Sequence, residues 1–316
     1  MRTCLDCIPC FFKQALEAAR IAGADDITQR NILNEVAKIL PEFRLNASPP
    51  EMARIIYRIV CSFTGVEDPY LQIKDQSNRR VLKVYGQLLQ KLNGKDRLLS
   101  AVKLAIAGNI IDFGPKNSIN IVKELDKILQ TESLIIQNEN PVFFRYDRFK
   151  SALEQSKNIL YLADNAGEVV FDKILIEVIH QEYPGKKIRY AVKEKPAIND
   201  ALIKDALDCG ISGIAEVISS GSDAPGTLLS FCSESFQKLF KNADMVISKG
   251  QGNFETLSAA GRPVFFLLLA KCPVIANHIG SRIGDVILFY RHGENECQPM
   301  NINVCHADTG LRHSRA

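Results

Sequence analysis

Apolar positions repeat with two different periods along the chain, and the change of period divides it in two. In the first half they fall at i, i+3, i+4 and i+7, the spacing of one helix face. Ile8, Phe11, Phe12, Ala15, Leu16 and Ala19 form the first stripe, and Met52, Ile55, Ile56, Ile59, Val60 and Phe63 form a second behind Pro49 and Pro50. Val81, Val84, Tyr85, Leu88, Leu89 and Leu92 make a third, and Ile119, Val122, Leu125, Ile128 and Leu129 a fourth. Gly65, Gly94 and Gly114 stand where such helices would stop. No strand pattern appears before residue 134.

From about residue 158 the pattern becomes short apolar runs alternating with helical stretches. The runs are Asn158 to Ala163, Ile188 to Val192, Glu216 to Ser219, Met245 to Ser248, Val264 to Leu269 and Val286 to Tyr290. Helical patterns lie at Val169 to Ile179, Asn199 to Cys209, Leu228 to Phe240 and after Asn253. Such alternation predicts parallel crossovers and a sheet covered on both faces. The expected fold class is α/β, a Rossmann-like parallel-rich sheet with helices on both faces, preceded by an all-helical domain. The helical domain is expected over residues 1–150 and the α/β domain over 151–316, with an irregular tail from 295.

Composition narrows the function classes. With 46% hydrophobic and 24% charged residues the chain has the balance of a globular protein. A net charge of +3 with scattered Lys and Arg gives no nucleic-acid footprint. The longest apolar run, Val264 to Ala270, is too short to span a bilayer, so no membrane association is expected. Cys4, Asp6, Cys7 and Cys10 occupy the place of a secretory apolar core. Nine cysteines, an odd number with several inside apolar patterns (Cys61, Cys209, Cys232), point to reduced thiols and a cytoplasmic location.

In an open parallel sheet, ligands bind outside the carboxyl ends of the strands, where loops gather helix N-termini and free N–H groups. Asp164, Asn165, Gly167 and Glu168 follow the first strand, and Lys193 to Asp200 follow the second. Gly221, Ser222 and Asp223 follow the third, and Lys249, Gly250, Gln251, Gly252 and Asn253 the fourth. Carboxylate and amide oxygens suit a hard divalent cation that keeps open positions. The KGQGN run (Lys249 to Asn253) offers unobstructed N–H groups and one cation to a phosphate. Neither a Walker spacing nor a dinucleotide glycine fingerprint is present. Taken singly these residues have plainer readings: Asp164 and Asp200 as helix caps, Lys249 as a solvated charge, Gly250 and Gly252 as turn formers. Their convergence on one sheet edge carries the argument.

At these residues the sequence resembles the damage-control metal-dependent phosphatases, long known only as a domain of unknown function, and among them the prokaryotic branch with a Cys-x-x-Cys motif. The matching strings are DNAGEVVFD (Asp164 to Asp172), KEKPAINDA (Lys193 to Ala201) and SKGQGNFE (Ser248 to Glu255). DPYLQIKDQSN (Asp68 to Asn78), AIAGNIIDFG (Ala105 to Gly114), LDCIPC (Leu5 to Cys10) and KCPVIA (Lys271 to Ala276) match as well, so the likeness covers roughly residues 1–290. The resemblance implies that Asp164, Asn165 and Asp200 hold a divalent cation, Mn²⁺, Mg²⁺, Co²⁺ or Ni²⁺, and that Lys249 binds phosphate. It also brings Asn109 and Asp112 from the helical half toward the same cleft, where with Glu168, Gly250, Gly252 and Asn253 they would meet a small phosphorylated metabolite. Asn109 and Asp112 are three apart and would share one helix face.

Cys4 and Cys7, with Cys272 as a distant partner from a matching string, form a second candidate site for Zn, Fe or redox chemistry. Cys297, Cys305, His306 and His313 in the tail fit no standard finger spacing. The expected activity is metal-dependent hydrolysis of small phosphomonoesters. The rival readings are an S-adenosylmethionine-dependent methyltransferase, for which one glycine after Asp164 and Asn165 is a poor loop, and a non-catalytic metal or nucleotide sensor.

Overall fold

The computed structural model describes residues 1–92, 95–109 and 143–291. The fourth stripe, Gly94, Gly114, Asp112 and the tail from residue 292 lie outside the described residues. The helical half contains α1 (Cys7–Ile21), α2 (Asp26–Ile39), α3 (Pro49–Thr64), α4 (Leu71–Lys83), α5 (Tyr85–Gln90) and α6 (Arg97–Ala107). A further helix, α7 (Tyr146–Gln155), leads into β1 (Asn158–Leu162), α8 (Glu168–Glu182), β2 (Lys187–Val192), α9 (Ile203–Asp208) and β3 (Glu216–Ser219). Then come α10 (Glu234–Asn242), β4 (Met245–Lys249), α11 (Gln251–Leu257), β5 (Val264–Leu269), α12 (Pro273–Ile279) and β6 (Val286–Arg291).

The strands form one sheet in the order β3-β2-β1-β4-β5-β6. The pairs from β3 to β5 are all parallel, and only β5 and β6 run antiparallel. The chain steps from β1 outward in one direction, then returns to place β4 on the other side of β1. That reversal leaves a crevice at the carboxyl ends of β1 and β4, because their following helices lie on opposite faces.

Alternate residues of each strand feed two cores. Ile159, Tyr161, Tyr190, Ile247, Phe265 and Leu267 pack on one side with α6, α7 and α8. Leu160, Leu162, Val246, Phe266 and Leu268 pack on the other with Phe236, Phe254 and Ile275 of α10, α11 and α12. Strands apolar on both faces are what a covered parallel sheet requires. The helical half does not form a single core. Phe11, Ile32, Val36, Ile56 and Val60 make a separate cluster between α1, α2 and α3, whereas Val81, Leu88, Leu98 and Val102 join the sheet's own core.

Local signals set several boundaries. Glu51 reaches back to the Ser48 N–H (3.0 Å), capping α3 just ahead of its two prolines, and Gly65 ends it in the left-handed conformation. Four expectations need correction, three of them helix starts and the fourth the placement of Asn109. The helix expected from Asn199 begins only at Ile203, the one expected from Leu228 is a 3-10 turn at Leu229–Phe231 followed by α10, and the short one begins at Gln251, ahead of Asn253. The last strand is antiparallel. Asn109 lies in a turn beyond the end of α6, not on a helix face.

Candidate active site

Asp164 follows β1 by two residues, and two backbone bonds fix what stands beside it. Ala166 N–H donates to Asn199 O (2.9 Å) and Ala201 N–H donates to Asp164 O (2.8 Å). The loops after β1 and β2 are thereby stitched together, with Asn165 bridged directly to Asp200. Asn165 and Asp200, far apart in sequence, thus stand side by side. Ile198, one turn before, has φ 53°, the one non-glycine residue with positive φ among the described residues. A β-branched residue held there marks stored strain next to the site.

The loop after β4 closes the other wall. Gly250 has φ 79°, and a Cβ at that position would fall 1.9 Å from Asp164 Oδ2. Its glycine is therefore needed so that the backbone can pass the carboxylate. Gly252 backs onto Gly226, whose own Cβ would lie 2.4 Å from Gly252 O. Asn253 donates to Ala163 O (2.9 Å) and Lys249 O (2.7 Å) and accepts from Thr227 Oγ1 (2.6 Å). It staples the ends of β1 and β4 together instead of facing a substrate.

Behind Asp164 lies a buried polar network. Asn109 Nδ2 donates to Asp164 Oδ2 (3.0 Å) and Glu168 Oε1 (2.7 Å), and Asn165 Nδ2 donates to the same two atoms (3.0 and 2.8 Å). Gly108 makes this reach possible, since a Cβ there would lie 2.6 Å from the Phe171 ring of α8. Lys249, 0% exposed, donates to Glu168 Oε2 (3.1 Å) and Asp172 Oδ1 (2.7 Å). Asp172 also accepts from the Tyr161 and Tyr190 hydroxyls, each at 2.8 Å. Lys249, expected to bind phosphate, is here fully buried and paired with two carboxylates. Buried Lys193 stands 3.5 Å from Asp200 Oδ2 and donates to Gly226 O.

The electrostatics follow from burial. Desolvation first, then the charges of Glu168 and Asp200, hold Asp164 well above the usual carboxylate range against Lys271 and Lys249. Burial also pushes Glu168 upward, but Lys249, Lys271 and the two asparagine amides outweigh it and leave Glu168 lowered. Burial raises Asp200 to about 6 despite Lys193. Lys271, exposed and just beyond β5, is the accessible cation acting on both Asp164 and Glu168. Sequence reasoning passed it over within the KCPVIA string in favour of Cys272.

Residues 3–287 match the damage-control phosphatase ARMT1-like domain. The chain belongs to this family. It is 36% identical to the damage-control phosphatase of Pyrococcus horikoshii over 282 residues, covering 88% of this chain and 94% of that protein. It is 34% identical over 295 residues to an uncharacterised protein of Methanocaldococcus jannaschii, covering 90% and 94%. The crystal structure of a DUF89 family protein from P. horikoshii superposes with TM-score 0.80 at 33% identity, covering 92% of this chain and 99% of that one.

The family implies a divalent cation, and the residues present fit one. Asn109 Oδ1 is buried without a hydrogen-bond partner among the described residues, and Asp200 Oδ2 meets Lys193 only at the longer distance of 3.5 Å. Among the described residues, four buried carboxylates, Asp164, Glu168, Asp172 and Asp200, are in direct contact with two buried ammonium groups at this edge, Lys193 and Lys249, while Lys74 and Lys271 act on them from further off. Among the described residues no three His, Cys, Asp or Glu side chains converge tightly enough to hold an ion by themselves, so an amide oxygen has to complete the set. The expected zinc or iron at the cysteines finds no closed ligand set for the same reason. Cys4 and Cys7 share the turn that opens α1, and Cys272 Sγ accepts from Gln251 Nε2 at 3.6 Å. Burial pushes the Cys7 thiol up to about 12, the opposite of a poised thiolate.

Proposed function

We propose that this cleft hydrolyses phosphomonoesters of small metabolites with a divalent cation held by Asp164, Asn165 and Asp200. The observation that carries the reading is the charge imbalance. With the carboxylates ionised, the buried cluster holds more negative charge than the two ammonium groups in contact with it offset, and a divalent cation would make up the difference. Oxygen-only donors favour Mg²⁺ or Mn²⁺ over softer ions. When bound, such an ion supplies Lewis-acid polarisation of a phosphoryl oxygen and favours ionisation of water at neutral pH.

The chain's own groups do the rest. Asp164 and Asp200 would hold the cation from two loops kept in register by the Ala166–Asn199 and Ala201–Asp164 backbone bonds, which also hold Ile198 in its strained conformation. Lys271, accessible and attracted by the same carboxylates, meets the phosphate and neutralises charge growing on its oxygens. Lys249 holds Glu168 in place from below, and Glu168 in turn orients the Asn109 and Asn165 amides. A methyltransferase reading fits less well, because Asp164, Asn165 and Glu168 occupy the crevice that a glycine-rich loop would leave open.

The test is a screen of sugar phosphates and nucleotide-like phosphomonoesters with Mg²⁺, Mn²⁺, Co²⁺ and Ni²⁺ in turn. Phosphate release should require the ion and cease with EDTA, and Lys271→Ala should raise KM about tenfold or more with cation affinity kept. Full turnover after exhaustive chelation would overturn the reading.

A further inference from the structure

Asn109 and Asn165 make the same two hydrogen bonds to one carboxylate pair. Each donates its amide N–H groups to Asp164 Oδ2 and Glu168 Oε1, at distances between 2.7 and 3.0 Å. Both acceptors are carboxylate oxygens, so the nitrogen of each amide is the end that must face them. The oxygen of each amide is then turned away from the pair. For Asn165 this frees the oxygen assigned above to the cation. For Asn109, which is 3% exposed, it leaves Oδ1 buried with no donor among the described residues.

A buried carbonyl oxygen without a partner costs about 1 to 3 kcal/mol, so native structures keep few of them without a reason. This one is a single carboxamide away from Asp164 Oδ2, in a pocket short of positive charge. The chain could have met the Asp164–Glu168 pair with a side chain that only donates. It uses one that also leaves an acceptor over.

We infer that Asn109 Oδ1 is a further ligand of the cleft cation, contributed by the helical half. The inference rests on the cation reading given above and extends it. Asp164, Asn165 and Asp200 all come from the sheet's own loops, whereas Asn109 arrives from the turn after α6. Cation binding would then tie the two halves together at the site.

The test is cation affinity measured calorimetrically with Mg²⁺ and Mn²⁺ alone, on wild type, Asn109→Ala and Asn165→Ala. A Eu³⁺ luminescence lifetime compared in H₂O and D₂O counts water molecules on the ion. Asn109→Ala is expected to weaken affinity about tenfold or more and to add one water to the ion's shell. Asn165→Ala should do the same. Unchanged affinity and water count in Asn109→Ala, alongside a loss in Asn165→Ala, would overturn the inference and leave the cation reading standing. No change in either variant would overturn both. If Asn109→Ala fails to fold, Asn109→Ser carries the same two measurements, because its hydroxyl can still donate while the amide oxygen is gone.

Discussion

The sheet ends in two rows of strand termini, and they handle charge in opposite ways. At the amino ends Asp244 is exposed and accepts from the N–H groups of Lys157 (2.9 Å) and Asn158 (2.7 Å), which hold its carboxyl below the usual range. Arg189 and Glu216 pair at 2.9 Å on the surface nearby. A hollow of about 200 Å³ there is lined mainly by Ile159, Leu160, Leu239 and Asn242, with Arg189 its one charged side chain. At the carboxyl ends Asp164 and Asp200 are buried, crowded together and shifted upward. One row satisfies each charge where it stands. The other stores a deficit, and the difference shows that a binding site is where a fold declines to balance its own charges.

The sharpest way to break this contrast is to remove the stored charge. Asp164→Ala and Asp200→Ala should each lose about 5 kcal/mol of transition-state stabilisation, roughly ten-thousandfold in rate, while circular dichroism shows a folded protein. Near wild-type turnover at saturating cation would remove that residue from the ligand set.

Lys249→Met should act on stability as well as rate. It leaves Glu168 and Asp172 buried without their shared counter-charge, at a cost of at least about 3 kcal/mol. Denaturant titration reads this directly, and a fall of less than about 1 kcal/mol would put Lys249 in a wetter setting than its burial indicates.

The pH response gives a smaller effect with a definite sign. Asp200 titrates at about 6 in the folded chain, above its ordinary value, so the folded state holds a proton that the unfolded chain has released. Its contribution to stability is therefore present at low pH and lost as pH rises through about 6. In metal-free protein, Tm of wild type relative to Asp200→Asn should fall between pH 5 and 7. Saturating Mg²⁺ should flatten or reverse that slope, and a slope indifferent to the cation would count against Asp200 as its ligand.

At the opposite row the effect should be least. Asp244→Ala removes hydrogen bonds already screened by solvent, worth at most about 1 kcal/mol, and kcat and KM should stay as they were. A clear loss of activity would mean that the two rows are coupled.

Much of this was legible beforehand. All six strands stood out as short apolar runs, because a sheet covered on both faces leaves few polar positions within its strands. The three loops of the cleft could be named because strand ends in such a sheet point one way. Helix α2 was missed since only Ile32 and Val36 of it are buried, too few to print a stripe. Helix α12 was missed because seven residues behind a proline carry hardly two turns of pattern. The site was harder. Lys249 and Lys271 are both lysines at strand ends, and nothing local says that Asp172 and Glu168 turn inward to claim the first and leave the second free. Gly250 looked like a cradle for phosphate, yet the crowding that requires glycine there comes from Asp164, distant in sequence, while a Cβ at Gly252 would approach nothing closer than 3.4 Å.

Asn78, on α4, carries a consequence of another kind. Its Oδ1 accepts from Gly167 N–H (2.6 Å) at the start of α8, and its Nδ2 donates to Asp205 Oδ1 (2.7 Å) on α9. These partners lie 89 and 127 residues further along the chain, and Asn109 waits 55 residues for Asp164. Chain synthesis runs from the amino end, so the helical half leaves the ribosome with its site-building side chains exposed and nothing yet to hold. Closing loops of that length is slow compared with winding a helix. The catalytic edge is therefore among the last parts of the molecule to exist, and a newly made chain can be largely helical well before it can bind anything.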